Sequence, residues 1–289
     1  MPYETPAQLR QALEDRLRVE AASGQIALNR LRRVVTFERV IIRLDNAEPG
    51  CFVLKGGMAL ELRLGEQARA TRDIDLAMRD STADVDALRD RLIEALARDP
   101  DNDMFSFEVG PAKPIGPAEA GRSAHRFSVR ALLDGREFDT LHIDLVASDE
   151  VAPTERLRLP GALGFAGIAS RTVEVVASEQ HFAEKLHALT RDYGDDRENT
   201  RSRDLADLLA FIEHDLVRPA DVGRATEAVF ERRHTHPIPG VLADPPNSWG
   251  ASYSMSAADM KLQATTVADA MERLRRFMSE TSKREKPSA

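Results

Sequence analysis

Asp73 and Asp75, in the segment TRDIDLAM, are the first residues whose type and spacing suggest chemistry. DIDLAM alternates like a strand, so both carboxylates leave one face while Ile74 and Leu76 pack on the other. Two like charges about 5–7 Å apart on one strand repel unless a cation lies between them. Hard oxygen ligands at that spacing suit Mg²⁺, which normally shares its shell with substrate phosphates. The plain alternative is a strand end with two solvated acids, or acids paired with Arg69 and Arg72. Upstream, the apolar run CFVLK ends at Gly56-Gly57 and turns directly into a helix. Such a turn lets backbone N–H groups approach an anion with no Cβ in the way, and Lys55 beside it adds positive charge. Taken alone, a Gly pair there is more often explained by backbone geometry. A third acid fits: in LHIDLVAS, Leu141, Ile143 and Leu145 define one face, leaving Asp144 on the other with His142 and Val146. Next to the Asp73 strand it would complete a three-acid site, able to ligate a second ion or accept a proton from an attacking hydroxyl.

The elements that position these residues read as follows. Leu9, Leu13 and Leu17 form the stripe of a first helix, which Gly24 interrupts. A second helix through Leu28, Leu31, Val35 and Ile41 carries Arg30, Arg32, Arg33, Arg39 and Arg43, a basic face that could meet phosphate. After the Asp75 strand come a helix over 83–98 and strands over 104–109, 125–133 and 136–148, the last two joined by the hairpin turn Asp134-Gly135. A strand over 171–178 leads into the helix EQHFAEKLHALTRD. The remainder is helical: 202–216 with Ser202 as N-cap, 220–233, a long irregular stretch holding Trp249 and Tyr253, and a closing helix through Val267 and Met278. The tail SKREKPSA reads as disordered.

Composition bounds the class. The 289 residues carry 40 basic and 48 acidic side chains, a net charge of −8, which excludes a simple polycation. With 42% hydrophobic residues the chain can bury a core, and its single cysteine, Cys51, supports neither an internal disulfide nor a thiolate zinc site. No apolar stretch suits a membrane span and no signal-peptide core opens the chain, so a cytoplasmic globular protein is expected.

Gly56-Gly57, a helix, then Asp73-x-Asp75 and a later strand Asp resembles the DNA-polymerase-β-like nucleotidyltransferase superfamily. More narrowly, KGGMALELRL, TRDIDL, AEKLHAL and RSRDLADLLAF are similar to the AbiEii/AbiGii toxin family, including MenT-like toxins, over roughly residues 50–215. The resemblance implies an α+β fold: a polymerase-β-like catalytic lobe with a mixed β-sheet and N-terminal helices over 1–178, and a helical C-terminal lobe over 179–289, with the site between them. It implies that Lys55, Gly56 and Gly57, helped by Arg72, hold nucleotide phosphates, and that Asp73, Asp75 and Asp144 bind metal. Lys185 would meet triphosphate or pyrophosphate, with Asp207 as the last motif's acid and Asp204 one turn earlier. From the residues alone, Lys185 could edge a packed helix, and Asp207 could pair with Arg203 four residues before it. One departure is Met58, where the superfamily often has a serine. The implied function is a toxin of a toxin–antitoxin pair. It would be a Mg²⁺-dependent enzyme, with Mn²⁺ as a substitute, moving nucleotides from NTP to the 3′ end of tRNA and countered by a cognate antitoxin. Transfer to a protein or small acceptor, and a non-catalytic RNA- or partner-binding module, are the alternatives.

Overall fold

The computed structural model describes residues 2–79, 84–115, 124–147, 152–194 and 198–283; most of the C-terminal tail lies outside them. Two compact units result, Met1–Arg63 with Ala70–Val175, and Leu64–Arg69 with Val176–Ala289.

The first unit begins with α1 (Pro6–Gly24), which the Thr5 side chain caps by accepting the Gln8 backbone N–H while Gln8 reaches back. Leu9, Leu13 and Leu17 are its buried stripe. After α2 (Leu28–Ala47) come β1 (Phe52–Lys55), α3 (Gly56–Leu64), β2 (Asp73–Met78) and α4 (Val85–Ala97), whose N-cap Asp84 accepts from Ala87 N at 2.8 Å. Strands β3 (Phe105–Pro114), β4 (Ala124–Leu133), β5 (Arg136–Ala147), β6 (Thr154–Arg158) and β7 (Thr172–Val176) follow. The short β6, TERLR, has a single apolar residue and so no alternation to announce it. Among the described residues the strands form one mixed sheet in the order β3-β4-β5-β2-β1-β7-β6. Strand β2 lies parallel to β5 and antiparallel to β1. Ile74, Leu76 and Met78 of β2, Phe127 and Val129 of β4, and Leu141, Ile143 and Leu145 of β5 share one core. Phe37, Val40 and Leu44 of α2 and Leu88, Leu92 and Leu96 of α4 complete it. That burial leaves the opposite face of β2 and β5 for polar side chains.

The basic face expected on α2 is not a solvated surface. Arg39 and Arg43 are fully buried. Arg43 makes a bidentate pair with Asp103 at 2.6 Å and 2.6 Å, and Arg39 bonds Glu38 at 2.6 Å and Asp101 at 3.1 Å. Arg30, Arg32 and Arg33 pair with Glu61, Glu14 and Asp139. These arginines tie α2 to its own unit, because a buried guanidinium must be matched by carboxylates, so no phosphate-binding stripe results.

The second unit holds α5 (Ser178–Thr190), α6 (Ser202–Glu213), α7 (Pro219–Arg233), α8 (Trp249–Asp259) and α9 (Val267–Lys283). Helix α5 packs on α6 and α7, and α6 on α8 and α9. Phe182 meets Phe211 and Phe277 in its core. Ser202 is the first helical residue rather than the cap, its hydroxyl bonding that of Ser252 at 2.9 Å. The segment expected to be irregular contains α8. Trp249 is buried there and donates its indole N–H to Asn199 O at 2.6 Å, and buried Tyr253 donates to Ala264 O at 2.7 Å. Neither ring is presented for stacking on a base.

Candidate active site

Strand β1 is buried at Phe52, Val53 and Leu54 and passes into α3 without a loop. The reversal falls on Gly56, at φ +59°. A Cβ on Gly56 would lie 1.7 Å from Asp75 Oδ2 and 2.8 Å from Asp75 Cβ. Glycine is therefore required twice, by the left-handed backbone and by the carboxylate beside it. Gly57 is buried, and Met58 is 1% exposed in the core, so it packs inward and offers nothing to the turn. Gly56→Ala is expected to cost at least ~1–2 kcal/mol for the backbone alone. By displacing Asp75 it should also lower any turnover that depends on this carboxylate about a hundredfold. Melting curves and single-turnover rates check this; a variant with wild-type rate would separate Gly56 from the site.

The parallel register sets Asp75 opposite Asp144 and Asp73 opposite His142, while antiparallel β1 sets Lys55 opposite Asp75. The structure thus brings Lys55, Gly56, Asp73, Asp75 and Asp144 together around neighbouring strands. Arg72 is exposed, one residue before β2. Asp73 does not pair with Arg72: it meets Arg126 Nη2 at 3.2 Å and His142 Nδ1 at 3.3 Å.

Arg126, on β4, is absent from the sequence expectations. It stands opposite Asp144 in register. Its Nε and Nη2 lie 2.7 Å and 2.6 Å from the two Asp144 oxygens. The bond to Asp144 outweighs partial burial and raises the guanidinium pKa, so it stays charged. The signal that could have found it is the alternation Arg126, Ser128, Arg130 against inward Phe127 and Val129.

The donor set suits a divalent ion in kind, since Asp73, Asp75 and Asp144 offer hard oxygens on one face and already hold a cationic group. Among the described residues no three His, Cys, Asp or Glu side chains are already grouped to hold a metal ion. The guanidinium engages both Asp144 oxygens, so the site is not a preformed cage.

A second constellation lies within the helical unit. Asp207 is fully buried, and Arg69 grips it through Nε and Nη2 at 2.8 Å each. Lys185 Nζ donates to Asp207 Oδ2 at 2.7 Å and to Asp204 Oδ1 at 3.0 Å. Burial by itself would raise the Asp207 pKa, but Lys185 and Arg69 overcome it and hold the carboxyl well below its ordinary range. Burial would likewise lower Lys185, and Asp207 and Asp204 hold it above the ordinary lysine value instead. The pair Arg203–Asp207 that helical spacing suggests is absent because Asp207 faces inward while Arg203 is exposed. Arg69 as the partner was hidden, since it lies 138 positions away in the chain.

A mixed sheet with a strand–Gly-Gly–helix turn and acids on adjacent parallel strands is the frame that the resemblance to nucleotidyltransferases implies. The chain is similar in fold to MenT4, a nucleotidyltransferase toxin of Mycobacterium tuberculosis H37Rv. The two are 21% identical with a TM-score of 0.54, over 93% of this chain and 97% of that one. JHP933 of Helicobacter pylori is 16% identical with a TM-score of 0.46, over 89% of this chain and 95% of that one. No curated protein matches. The model of the nucleotidyl transferase AbiEii toxin family, from type IV toxin–antitoxin systems, matches residues 41–284. The chain belongs to that family and is a nucleotidyltransferase toxin of a toxin–antitoxin system.

Proposed function

We propose that the protein is a Mg²⁺-dependent enzyme that transfers nucleotides from NTP to the 3′ acceptor end of tRNA, blocking aminoacylation, and that a cognate antitoxin restrains it. The observation that carries the chemistry is the register pairing of Asp75 with Asp144, with the Asp75 carboxylate set against the Gly56 turn. The tRNA acceptor rests on the family resemblance. Asp73, Asp75 and Asp144 would hold the metal, which when bound offsets phosphate charge and lowers the pKa of an attacking hydroxyl. The Gly56-Gly57 turn opens α3, whose N-terminal end favours an anion, and the Asp75 carboxylate set against Gly56 would there share a metal ion with the nucleotide's phosphates. Lys55 adds positive charge at the strand end, and exposed Arg72 is available to the polyanion. Lys185, which donates to Asp204 and Asp207, is assigned to triphosphate or pyrophosphate by the family resemblance. Aligning a 3′-hydroxyl with the α-phosphate and balancing its charge would supply most of the rate.

Incubating the protein with total RNA, cell protein and each α-labelled NTP tests this. The expected result is Mg²⁺-dependent label in RNA of tRNA size, located at the 3′ end. Label in protein would replace the acceptor. Absence of label with every NTP, in either metal, would overturn the reading.

A further inference from the structure

The sheet face that carries Asp73, Asp75 and Asp144 also carries its own cation. One nitrogen, Arg126 Nη2, lies within reach of an oxygen from each of two strands, 2.6 Å from Asp144 and 3.2 Å from Asp73. That is the relation a bridging ion would have to the same two carboxylates. The guanidinium is no accident of a long side chain lying on a surface. Its strand register is set by the β4–β5 ladder, it forms a two-pronged bond with Asp144, and Asp144 is only 15% exposed. Both Asp144 oxygens are occupied, and charge-assisted bidentate pairs are the strongest of their kind. A divalent ion seeking Asp144 therefore meets a carboxylate whose charge and both oxygens are already engaged by a cation.

We infer that Arg126 is the resident counter-cation of the carboxylate site, and that it competes with the divalent ion for Asp144 and Asp73. The chain itself then holds metal binding weak while no nucleotide is present. A displaced guanidinium would need a new anion, and a nucleotide triphosphate supplies one, so loading of metal and nucleotide would favour each other. The inference rests on reading Asp73, Asp75 and Asp144 as metal ligands. It gives Arg126 a positioning role, acting through the acids.

The test is Mn²⁺ binding to the full-length protein without nucleotide, read from the electron paramagnetic resonance of free Mn²⁺. Arg126→Gln should bind Mn²⁺ at least about tenfold more tightly than wild type, equivalent to about 1.4 kcal/mol. Arg126→Lys, which keeps charge but loses the two-pronged geometry, should fall between. Arg130→Gln removes a like charge on the same strand face, where Arg130 pairs with Glu108 instead. It should stay within about twofold of wild type. Asp75→Asn should bind no more than residually. Far-UV circular dichroism confirms folding, and Arg126→Lys keeps the test decisive where the Gln variant does not fold. Equal or weaker binding by the Arg126 variants, with Asp75→Asn defective, would overturn the role of Arg126 and leave the metal site standing. An equal gain in Arg130→Gln would reduce the effect to general charge and overturn it too. Failure of wild type and every Arg126 variant to bind Mn²⁺ would overturn the metal reading, and this inference with it.

Discussion

Asp73→Asn is expected to lower nucleotide transfer about a thousandfold or more, a loss of about 4 kcal/mol of transition-state stabilisation. Its metal-free melting temperature should move by no more than about 2–4 °C. The asymmetry follows from the surroundings of the carboxylate. Its side chain is 35% exposed and its partners, Arg126 and His142, stand at 3.2 Å and 3.3 Å. An exposed pair of that kind contributes about 0–1 kcal/mol. Arg126 also retains its stronger bond to Asp144 when Asp73 is neutral. Two bare acids would make the substitution stabilising, by relief of about 3 kcal/mol of repulsion at 5 Å and an effective dielectric near 20. The guanidinium already relieves that repulsion, so little change is expected. Asparagine keeps the shape and loses the charge that a metal ion requires. Mg²⁺ should raise the wild-type melting temperature more than the variant's, because a ligand stabilises only the folded form it binds. Equal shifts, or wild-type transfer by the variant, would remove Asp73 from the site.

Asp207→Asn should instead destabilise the helical unit, by about 3–5 kcal/mol, the usual cost of breaking a buried ion pair from one side. Asp207 is fully buried between Arg69 and Lys185, and an amide removes the negative charge that these two cations share, while Asp204 still meets Lys185. Removing Lys185 together with Asp207, as Lys185→Met with Asp207→Asn, should cost less than the sum of the single changes, since the uncompensated ammonium is gone. The pH dependence has a definite sign. The folded-state pKa of Asp207 is lowered, so its stabilisation is complete above the unfolded value of about 4. It is lost as pH falls through the lower folded value. Wild type should therefore lose stability below about pH 4 more steeply than Asp207→Asn. The raised Lys185 pKa works in the other direction: its contribution is complete below about pH 10 and is lost only at more alkaline pH. Urea melts of both proteins between pH 3 and pH 7 measure the difference, and parallel acid limbs would show that the Asp207 carboxylate is not held charged.

The amino-acid sequence by itself determines what alternation and turn chemistry dictate locally. A period of two places Asp73 and Asp75 on one face of β2, and Asp144 opposite Leu141, Ile143 and Leu145 on β5; the burial of both strands follows that pattern. Gly56-Gly57 marks a place where backbone must replace side chain, and its φ and the closeness of Asp75 give the reason. Pairing was not legible. A tight turn at Asp134-Gly135 continued in step would set Arg126 opposite Ile143, against its own alternation. A register shift between Ala131 and Leu132 moves the ladder by one residue and brings Arg126 to Asp144. The same limit applies to charge. A helix with five arginines reads as a basic surface, whereas three-dimensional packing buries Arg39 and Arg43 against Asp101 and Asp103. Helical spacing offers Arg203 to Asp207, and the fold brings Arg69 instead. Local sequence determines which face a side chain leaves from, because backbone geometry has a fixed period. Which charge it then meets depends on long-range register and burial, and those only the tertiary structure decides.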